Sequence, residues 1–385
     1  MDFKDWFCLK DRESFTINPE INPSDAKFYF GRAPLQKRMY DQIKRSFLDP
    51  RVPKMMVYGP YGCGKTQTLY HLAYWLKNSK PSSCKGEPYA VHLAIEVQSK
   101  STAANWHLQI MKAIRIETIQ DWLGKLFAKS ANFEQEVAKL TSDPNIARAF
   151  THLRGGGNLA FDAWRWLEGY ALTARELQGI NVTQNLGDVG VGDFVAALQA
   201  CGNLAGAVGN CLILFMDEME ELHNVREGDA AESWHLYIKK LADSANSSVG
   251  VVIGFRADTG DEAPKVLIRG DVRRRLAAIN YVELQTLSAV ANVKQFVEEM
   301  LAQLVDPARA NDRIQQDGLA STVKTYPFTA TAFDLMCDYA CQDSVKSTPG
   351  NIIRTISECA MSAWDVQKKV IDDEIVNAVA PLMFE

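Results

Sequence analysis

The sequence predicts an α/β protein built on a phosphate-loop core with a parallel five-stranded sheet, a helical insertion, and a C-terminal all-helical lid. Three observations predict it. A glycine-rich loop at 59–66 stands between a strand-like run and a helix-like run. A second apolar run, Cys211-Leu212-Ile213-Leu214-Phe215-Met216, ends in Asp217-Glu218. Strand-like segments alternate with helical ones up to about residue 287 and then stop, leaving only helical periodicity.

The loop Gly59-Pro60-Tyr61-Gly62-Cys63-Gly64-Lys65-Thr66 fits G-x-x-x-x-G-K-[ST] without exception. Lys54-Met55-Met56-Val57-Tyr58 before it reads as a buried strand, and Leu69, Leu72, Ala73 and Leu76 after it repeat at helical spacing. A glycine turn capping an ordinary helix would share the bare pattern; the correct flanks favour nucleotide binding. Glycines let successive backbone N–H groups curl around phosphate oxygens at the positive end of the helix dipole. Gly59, Pro60, Tyr61, Gly62, Cys63, Gly64, Lys65, Thr66 and Gln67 are therefore the candidate cofactor-binding residues, the cofactor being ATP. Lys65 reaches the β- and γ-phosphates, and the Thr66 hydroxyl serves Mg²⁺.

At 385 residues with a net charge of −5, the chain has room for two or three domains and shows no general nucleic-acid footprint. No apolar run approaches membrane-spanning length, and the charged start Met1-Asp2-Phe3-Lys4-Asp5 is unlike a signal peptide, so a cytoplasmic location without a membrane partner is expected. The eight cysteines include no C-x-x-C pair, which argues against zinc.

Residues 1–28 read as an N-terminal arm laid over a domain surface. The helix that follows carries Leu35, Met39, Ile43 and Phe47 on one face. Pro88 to Val97 is a second strand, parallel to the first because the connection is helical. The span from about 100 to 200, with helices near 102–116, 118–140 and 159–176, is longer than one crossover needs and so contains an insertion. Its Trp106, Trp122, Trp164 and Trp166 suit a core. The run ending in Asp217-Glu218 is a buried parallel strand whose carboxyl end opens on the ligand crevice; Asp217 is placed on Mg²⁺, and Glu218 orients and deprotonates the attacking water. A fourth strand spans 249–255 and a fifth 279–284. Between them Arg273, Arg274 and Arg275 are either a plain basic turn or a finger aimed at a neighbour's γ-phosphate. Ser288 is a candidate N-cap for the next helix, Thr348-Pro349 opens another, and Arg354 on that helix points away from its apolar face.

In this order of motifs the chain resembles the AAA+ ATPases, P-loop NTPases, and among them the branch of origin-recognition initiators and TnsC-type transposition regulators. The resemblance runs from about residue 28 to 382, with a Phe-x-Gly-Arg entry in Phe30-Gly31-Arg32, a Walker B in Asp217-Glu218, and an arginine box in Arg273 to Arg275. It implies a nucleotide-binding domain at 29–287, a lid at 288–385, nucleotide contacts from Arg32, and a sensor 2 role for Arg354. The sensor 1 position falls on Arg256, where relatives have a small polar residue, with Asp258 and Thr259 beside it. Initiator relatives often carry a winged-helix domain after the lid; without one, DNA contact is expected from the ATPase ring or the 100–200 insertion.

The resemblance implies a slow ATPase switch, a homo-oligomer with ATP at its subunit interfaces and an arginine of the 273–275 box completing each site. Two jobs fit: a loader or regulator on duplex DNA, or a defence-type scaffold or sensor that binds a protein effector. A small-molecule kinase would leave the helical lid and arginine box without purpose.

Overall fold

The computed structural model describes residues 2–48, 52–243, 248–259, 262–276 and 280–384. In chain order the elements begin with α1 (Phe3–Trp6), α2 (Ala33–Leu48), β1 (Lys54–Gly59), α3 (Lys65–Asn78) and β2 (Glu87–Ala94). Then come α4 (Ala103–Ile114), α5 (Ile116–Lys129), α6 (Phe133–Leu140), α7 (Pro144–Gly155), α8 (Gly157–Leu167), α9 (Ala174–Gly179) and α10 (Val191–Ala207). β3 (Asn210–Asp217), α11 (Asp229–Ala242), β4 (Gly250–Arg256), α12 (Lys265–Ile268), α13 (Gly270–Leu276) and β5 (Tyr281–Glu283) complete the α/β part. Only helices follow among the described residues: α14 (Val290–Leu304), α15 (Pro307–Asp317), α16 (Ala330–Gln342), α17 (Pro349–Asp365) and α18 (Asp373–Phe384). The chain forms two compact units, one of Met1–Arg38, Gly59–His71 and Leu284–Glu385, the other of Met39–Tyr58 and Leu72–Glu283.

In the first unit, α14 and α16 to α18 bury one face each around Val297, Met300, Phe328, Met336, Ile352 and Ile356. Phe7, Leu9 and Phe15 lie in that same core, fully buried, so this part of the N-terminal segment is interior and not draped over a surface. Asp25, also buried, organises residues 12–25: its carboxylate accepts from the Arg12 guanidinium, from the Asn18 N–H (2.9 Å) and from Asn22 Nδ2 (3.2 Å). A buried carboxylate needs this number of partners. Thr348 caps α17 with Pro349 at the first helical position, as its sequence predicts. The expected Ser288 cap does not form; Ala289 is the cap residue and α14 starts at Val290.

The second unit holds a parallel five-stranded sheet in the order β2-β3-β4-β1-β5. The chain leaves β1 for the far edge at β2, returns strand by strand to β4 beside β1, and places β5 on β1's other side. That reversal at β1 is a topological switch point, where open α/β sheets bind ligands at the strands' carboxyl ends. Strand β5 is shorter than the predicted 279–284, and Ile279 lies outside the described residues.

The helices between β2 and β3 differ from the expected spans. The stretch 118–140 breaks at Ser130 because Asn132 caps a separate α6, and α7 begins where Asp143 caps with Pro144 at the first position. The stretch 159–176 starts earlier, at Gly157 after Gly156 in the left-handed region (φ 71°), and ends at Leu167. Trp106, Trp122, Trp164 and Trp166 are all buried, and Trp106 stacks on Trp234 with centroids 4.9 Å apart. His107 is fully buried between Tyr237 Oη (3.1 Å) and the Leu167 carbonyl (2.8 Å), and burial pushes its pKa down to about 4.

Lys54, the first residue of β1, is buried and donates to the Leu241 carbonyl. Burial pushes its pKa down to about 7, opposed by the Asp243 charge. The unfolded chain therefore holds a proton on this lysine across a window in which the folded chain does not. Stability is expected to rise with pH from about 7 to about 10.5. Urea midpoints across that range check this, with a Lys54→Met variant showing a flatter profile.

Candidate functional site

The phosphate loop is shaped by close approaches. A Cβ on Gly59 would stand 2.3 Å from the Leu284 carbonyl oxygen. Gly62 and Gly64 have φ of 77° and 83°, a region that disfavours any side chain. The Cys63 N–H donates back to the Pro60 carbonyl at 3.3 Å, and Thr68 Oγ1 donates to the Gly64 carbonyl at 2.8 Å. Lys65 Nζ lies over the loop, donating to the carbonyls of Gly59 and Pro60 at 3.1 Å each. Lys65 and Thr66 are half-buried, whereas the Tyr61 side chain is exposed. The Gln67 side chain points elsewhere: its Nε2 donates to the carbonyls of Asp25 (2.9 Å) and Phe28 (2.6 Å), fastening the start of α3 to the segment ordered around Asp25.

Next to the loop, the Tyr29 ring stacks on His71 (centroids 4.7 Å apart), and its hydroxyl meets Thr68 Oγ1 at 3.2 Å. His71 Nδ1 lies 2.9 Å from the Ala26 carbonyl, which can only accept, so this nitrogen carries the proton. Nε2 then accepts from Gln36 at 2.8 Å. Burial lowers the His71 pKa, consistent with a neutral ring. Arg32 is buried, and its Nη2 donates to the Gln285 carbonyl at 2.6 Å, so this guanidinium ties the entry segment to the start of the 284–289 linker. The Gly31 N–H donates to Glu299 at 2.6 Å.

In the sheet unit, Asp217 closes β3 and is 9% exposed, its Oδ1 accepting from the Glu218 N–H at 2.9 Å. Glu218 is exposed and sits in the left-handed conformation (φ 56°, ψ 30°), an arrangement costing a non-glycine residue roughly 1–2 kcal/mol. Strained backbone of this kind concentrates at functional sites. Glu220 faces the neighbouring strand, where its Oε2 accepts from the Arg256 N–H at 2.9 Å. The register Met216↔Ile253 brings the ends of β3 and β4 side by side. Arg256 is exposed at the tip of β4. The Glu220 bridge is not visible in sequence, where Glu220 continues the acidic turn and stands as the alternative base to Glu218.

The three arginines of α13 differ in their surroundings. The Arg273 guanidinium lies 5.7 Å from the Tyr281 ring centroid. Arg275 Nη1 donates to the Asp271 carbonyl at 2.9 Å, with Asp243 at 3.8 Å. Arg274 is exposed and has no partner among the described residues. The helix is held by Asp271, whose carboxylate takes Lys239 Nζ at 3.0 Å and His235 Nε2 at 3.1 Å. The Lys239 hydrogen bond, aided by His235, keeps that carboxyl well below the usual range. Arg354 is exposed on the first turns of α17.

No protein-family model matches the sequence, and no curated protein does. Solved structures do. The ORC2 protein of Aeropyrum pernix, in its ADPNP-ADP complexes, matches with a TM-score of 0.53 at 10% identity, over 98% of this chain and 72% of that one. The Aeropyrum pernix ORC1 protein in complex with DNA matches at 0.49 and 9% identity, over 95% and 69%. The Thermotoga maritima RuvB Holliday junction branch migration motor matches at 0.41 and 13% identity, over 92% and 70%. The chain shares its fold with that ORC2 protein, an α/β P-loop core with helical regions.

The strain at Glu218 yields a prediction separable from activity. Glu218→Gly relaxes a left-handed residue, and folding stability is expected to rise by roughly 0.5–1 kcal/mol even though the carboxylate is lost. Chemical denaturation of the two proteins side by side checks it; a loss of stability would mean that the Glu218 side chain contributes more than its backbone costs.

Proposed function

We propose that the chain is an ATP-dependent switch that binds and slowly hydrolyses ATP with Mg²⁺ and assembles through its nucleotide-bound form. The observation that carries this is the loop Gly59–Thr66 itself, curled by Gly62 and Gly64 in the left-handed region with Lys65 Nζ lying over it. The fold supports it, since its match to ORC2 is to a protein solved with ADPNP and ADP.

In this reading the loop amides and Lys65 hold the phosphates, and Lys65 exchanges its two carbonyl partners for phosphate oxygens. Oxygen donors are what Mg²⁺ takes, and the Thr66 hydroxyl with the Asp217 carboxylate fits its habit of using few protein ligands plus water and phosphate. The metal would supply charge neutralisation at the β- and γ-phosphates. Glu218, exposed at the turn, orients and deprotonates the attacking water. Arg256 and Arg354 respond to the γ-phosphate. Arg274 is the finger offered to a neighbouring copy, since Arg273 and Arg275 are engaged within their own unit. ATP shifts assembly only as far as it binds the assembled form better.

Lys65→Ala is expected to abolish ATP binding, measured by equilibrium dialysis. Glu218→Gln is expected to bind ATP normally while turnover falls roughly 10²–10⁴-fold; unchanged turnover would move the base elsewhere. The mass distribution of Glu218→Gln with ATP and Mg²⁺, with and without duplex DNA, identifies the partner class. Assembly that needs DNA marks a DNA-associated regulator, assembly indifferent to DNA marks a scaffold for a protein effector, and a monomer in both overturns the switch.

Arg274→Ala should leave ATP binding by the monomer intact and reduce assembly-dependent hydrolysis roughly 10³-fold or more. Arg273→Ala and Arg275→Ala should have smaller effects on turnover. Equal losses in all three would show that the helix acts by its net charge and not through one finger.

A further inference from the structure

The phosphate loop is fastened directly to the first turn of α17. The Gly350 N–H donates to the Gly62 carbonyl at 2.9 Å. The approach is close on both sides: a Cβ on Gly62 would lie 2.6 Å from Thr348 Oγ1, and a Cβ on Gly350 would lie 3.2 Å from the Gly62 oxygen and 3.3 Å from its Cα. Gly62 requires glycine for its φ of 77° as well. Gly350 does not, because it lies within α17 and is not among the positive-φ glycines. Glycine in a helix costs roughly 1 kcal/mol against alanine, so proximity to Gly62 is what its missing side chain permits.

The first turn of α17 is itself held in place. Thr348 Oγ1 accepts from the Asn351 N–H at 3.3 Å, and Asn351 Nδ2 donates to the Lys346 carbonyl at 2.9 Å. Leu287 and Ser347 are joined twice, by the Leu287 N–H to the Ser347 carbonyl (2.7 Å) and by the Ser347 hydroxyl to the Leu287 carbonyl. Ser347 and Thr348 are buried, and Ile352, Ile356 and Cys359 behind them are fully enclosed in the helical core. Gly350 is therefore a donor on a rigid support, and the Gly62 carbonyl is its acceptor.

A trans peptide holds its C=O and N–H on opposite sides of one plane. Fixing the Gly62 oxygen toward Gly350 turns the Cys63 N–H the other way, into the loop, where its bond to the Pro60 carbonyl is long at 3.3 Å. We propose that Gly350 is a positioning residue whose backbone N–H sets the Gly62–Cys63 peptide so that the Cys63 amide faces into the loop, and that the same bond transmits loop occupancy to α17. The second part rests on the nucleotide reading above; the first does not. The coupling needs no side chain. A loop that tightens around phosphate pulls on the Gly62 oxygen, and α17, with Arg354 one turn beyond Gly350, is the element that feels it.

Gly350→Ala tests this because it separates positioning from simple stability. The added methyl favours the helix, yet it crowds the Gly62 oxygen, a backbone atom with little freedom to move. Hydrogen exchange of residues 60–66 without nucleotide should be at least about tenfold faster in Gly350→Ala than in the wild type, with the thermal midpoint unchanged or higher. Affinity for methylanthraniloyl-ADP should fall roughly tenfold, the loss expected when one orienting hydrogen bond is misplaced. In the wild-type protein the same nucleotide should slow exchange across residues 347–353. Loop exchange identical in the two proteins overturns the positioning role, whatever the affinity. A looser loop in a protein whose wild type binds no nucleotide supports the positioning role and overturns the nucleotide reading. Binding that leaves 347–353 unchanged overturns transmission to α17.

Discussion

The loop chemistry depends on three places where the chain has no side chain to spare. Gly59 lies against the Leu284 carbonyl, Gly62 against Thr348, and Gly350 against Gly62. At Gly59 and Gly62 a Cβ would stand at 2.3 and 2.6 Å, a distance no Cβ survives, and at Gly350 it would crowd the Gly62 oxygen at 3.2 Å. The Gly62 carbonyl is held by the Gly350 N–H and Gly59 packs on the Leu284 carbonyl, so the loop is braced by these segments as well as by its own turns. Preorganised donors are effective because they need no rearrangement when charge arrives. The conformations at Gly62 and Gly64 supply the curl, and the lateral contacts hold it.

Around that loop the polar groups are engaged with a consistency that explains the burial of so many of them. Asp25 collects Arg12, Asn18 and Asn22, and its own carbonyl receives Gln67. His71 is satisfied on both nitrogens by Ala26 and Gln36 while its face packs on Tyr29. Unpaired, any of these groups would cost roughly 1–3 kcal/mol. Together they make the N-terminal residues part of the scaffold that positions α3. The helical core reinforces it, with Phe7, Leu9 and Phe15 buried alongside α14 and α16 to α18.

Much of this was legible in the sequence, for reasons that also mark its limits. The strands β1, β2, β3 and β4 are short apolar runs with clear punctuation, and the glycine loop declares itself by spacing alone. The Thr348-Pro349 cap is local chemistry, and it appears where expected. The helix boundaries after β2 depart from the expected spans although Asn132 and Asp143-Pro144 are ordinary start signals, because the apolar period runs on through the breaks. Gln67 and Arg32 are placed by motif, yet their side chains meet backbone carbonyls far away in sequence. The Glu220–Arg256 and Gly62–Gly350 bonds are equally remote, and no periodicity or propensity encodes a contact from a turn to a strand end or from a loop to a distant helix.

The end of β3 shows the same economy of means as the loop. Asp217 is buried and fixed by the Glu218 amide, while Glu218 is pushed outward on a left-handed turn that an ordinary residue avoids. Glu220 then reaches across to the backbone of Arg256, so the acidic turn and the tip of β4 cannot shift independently. A carboxylate accepting from an amide is stronger than a neutral pair, and here it sits between two strand ends already registered by the sheet. The backbone of Arg256 is fixed while its side chain stays exposed. The strand end accommodates an arginine, where the resemblance leads one to expect a small polar group, because its guanidinium stays in water while only its backbone N–H is engaged.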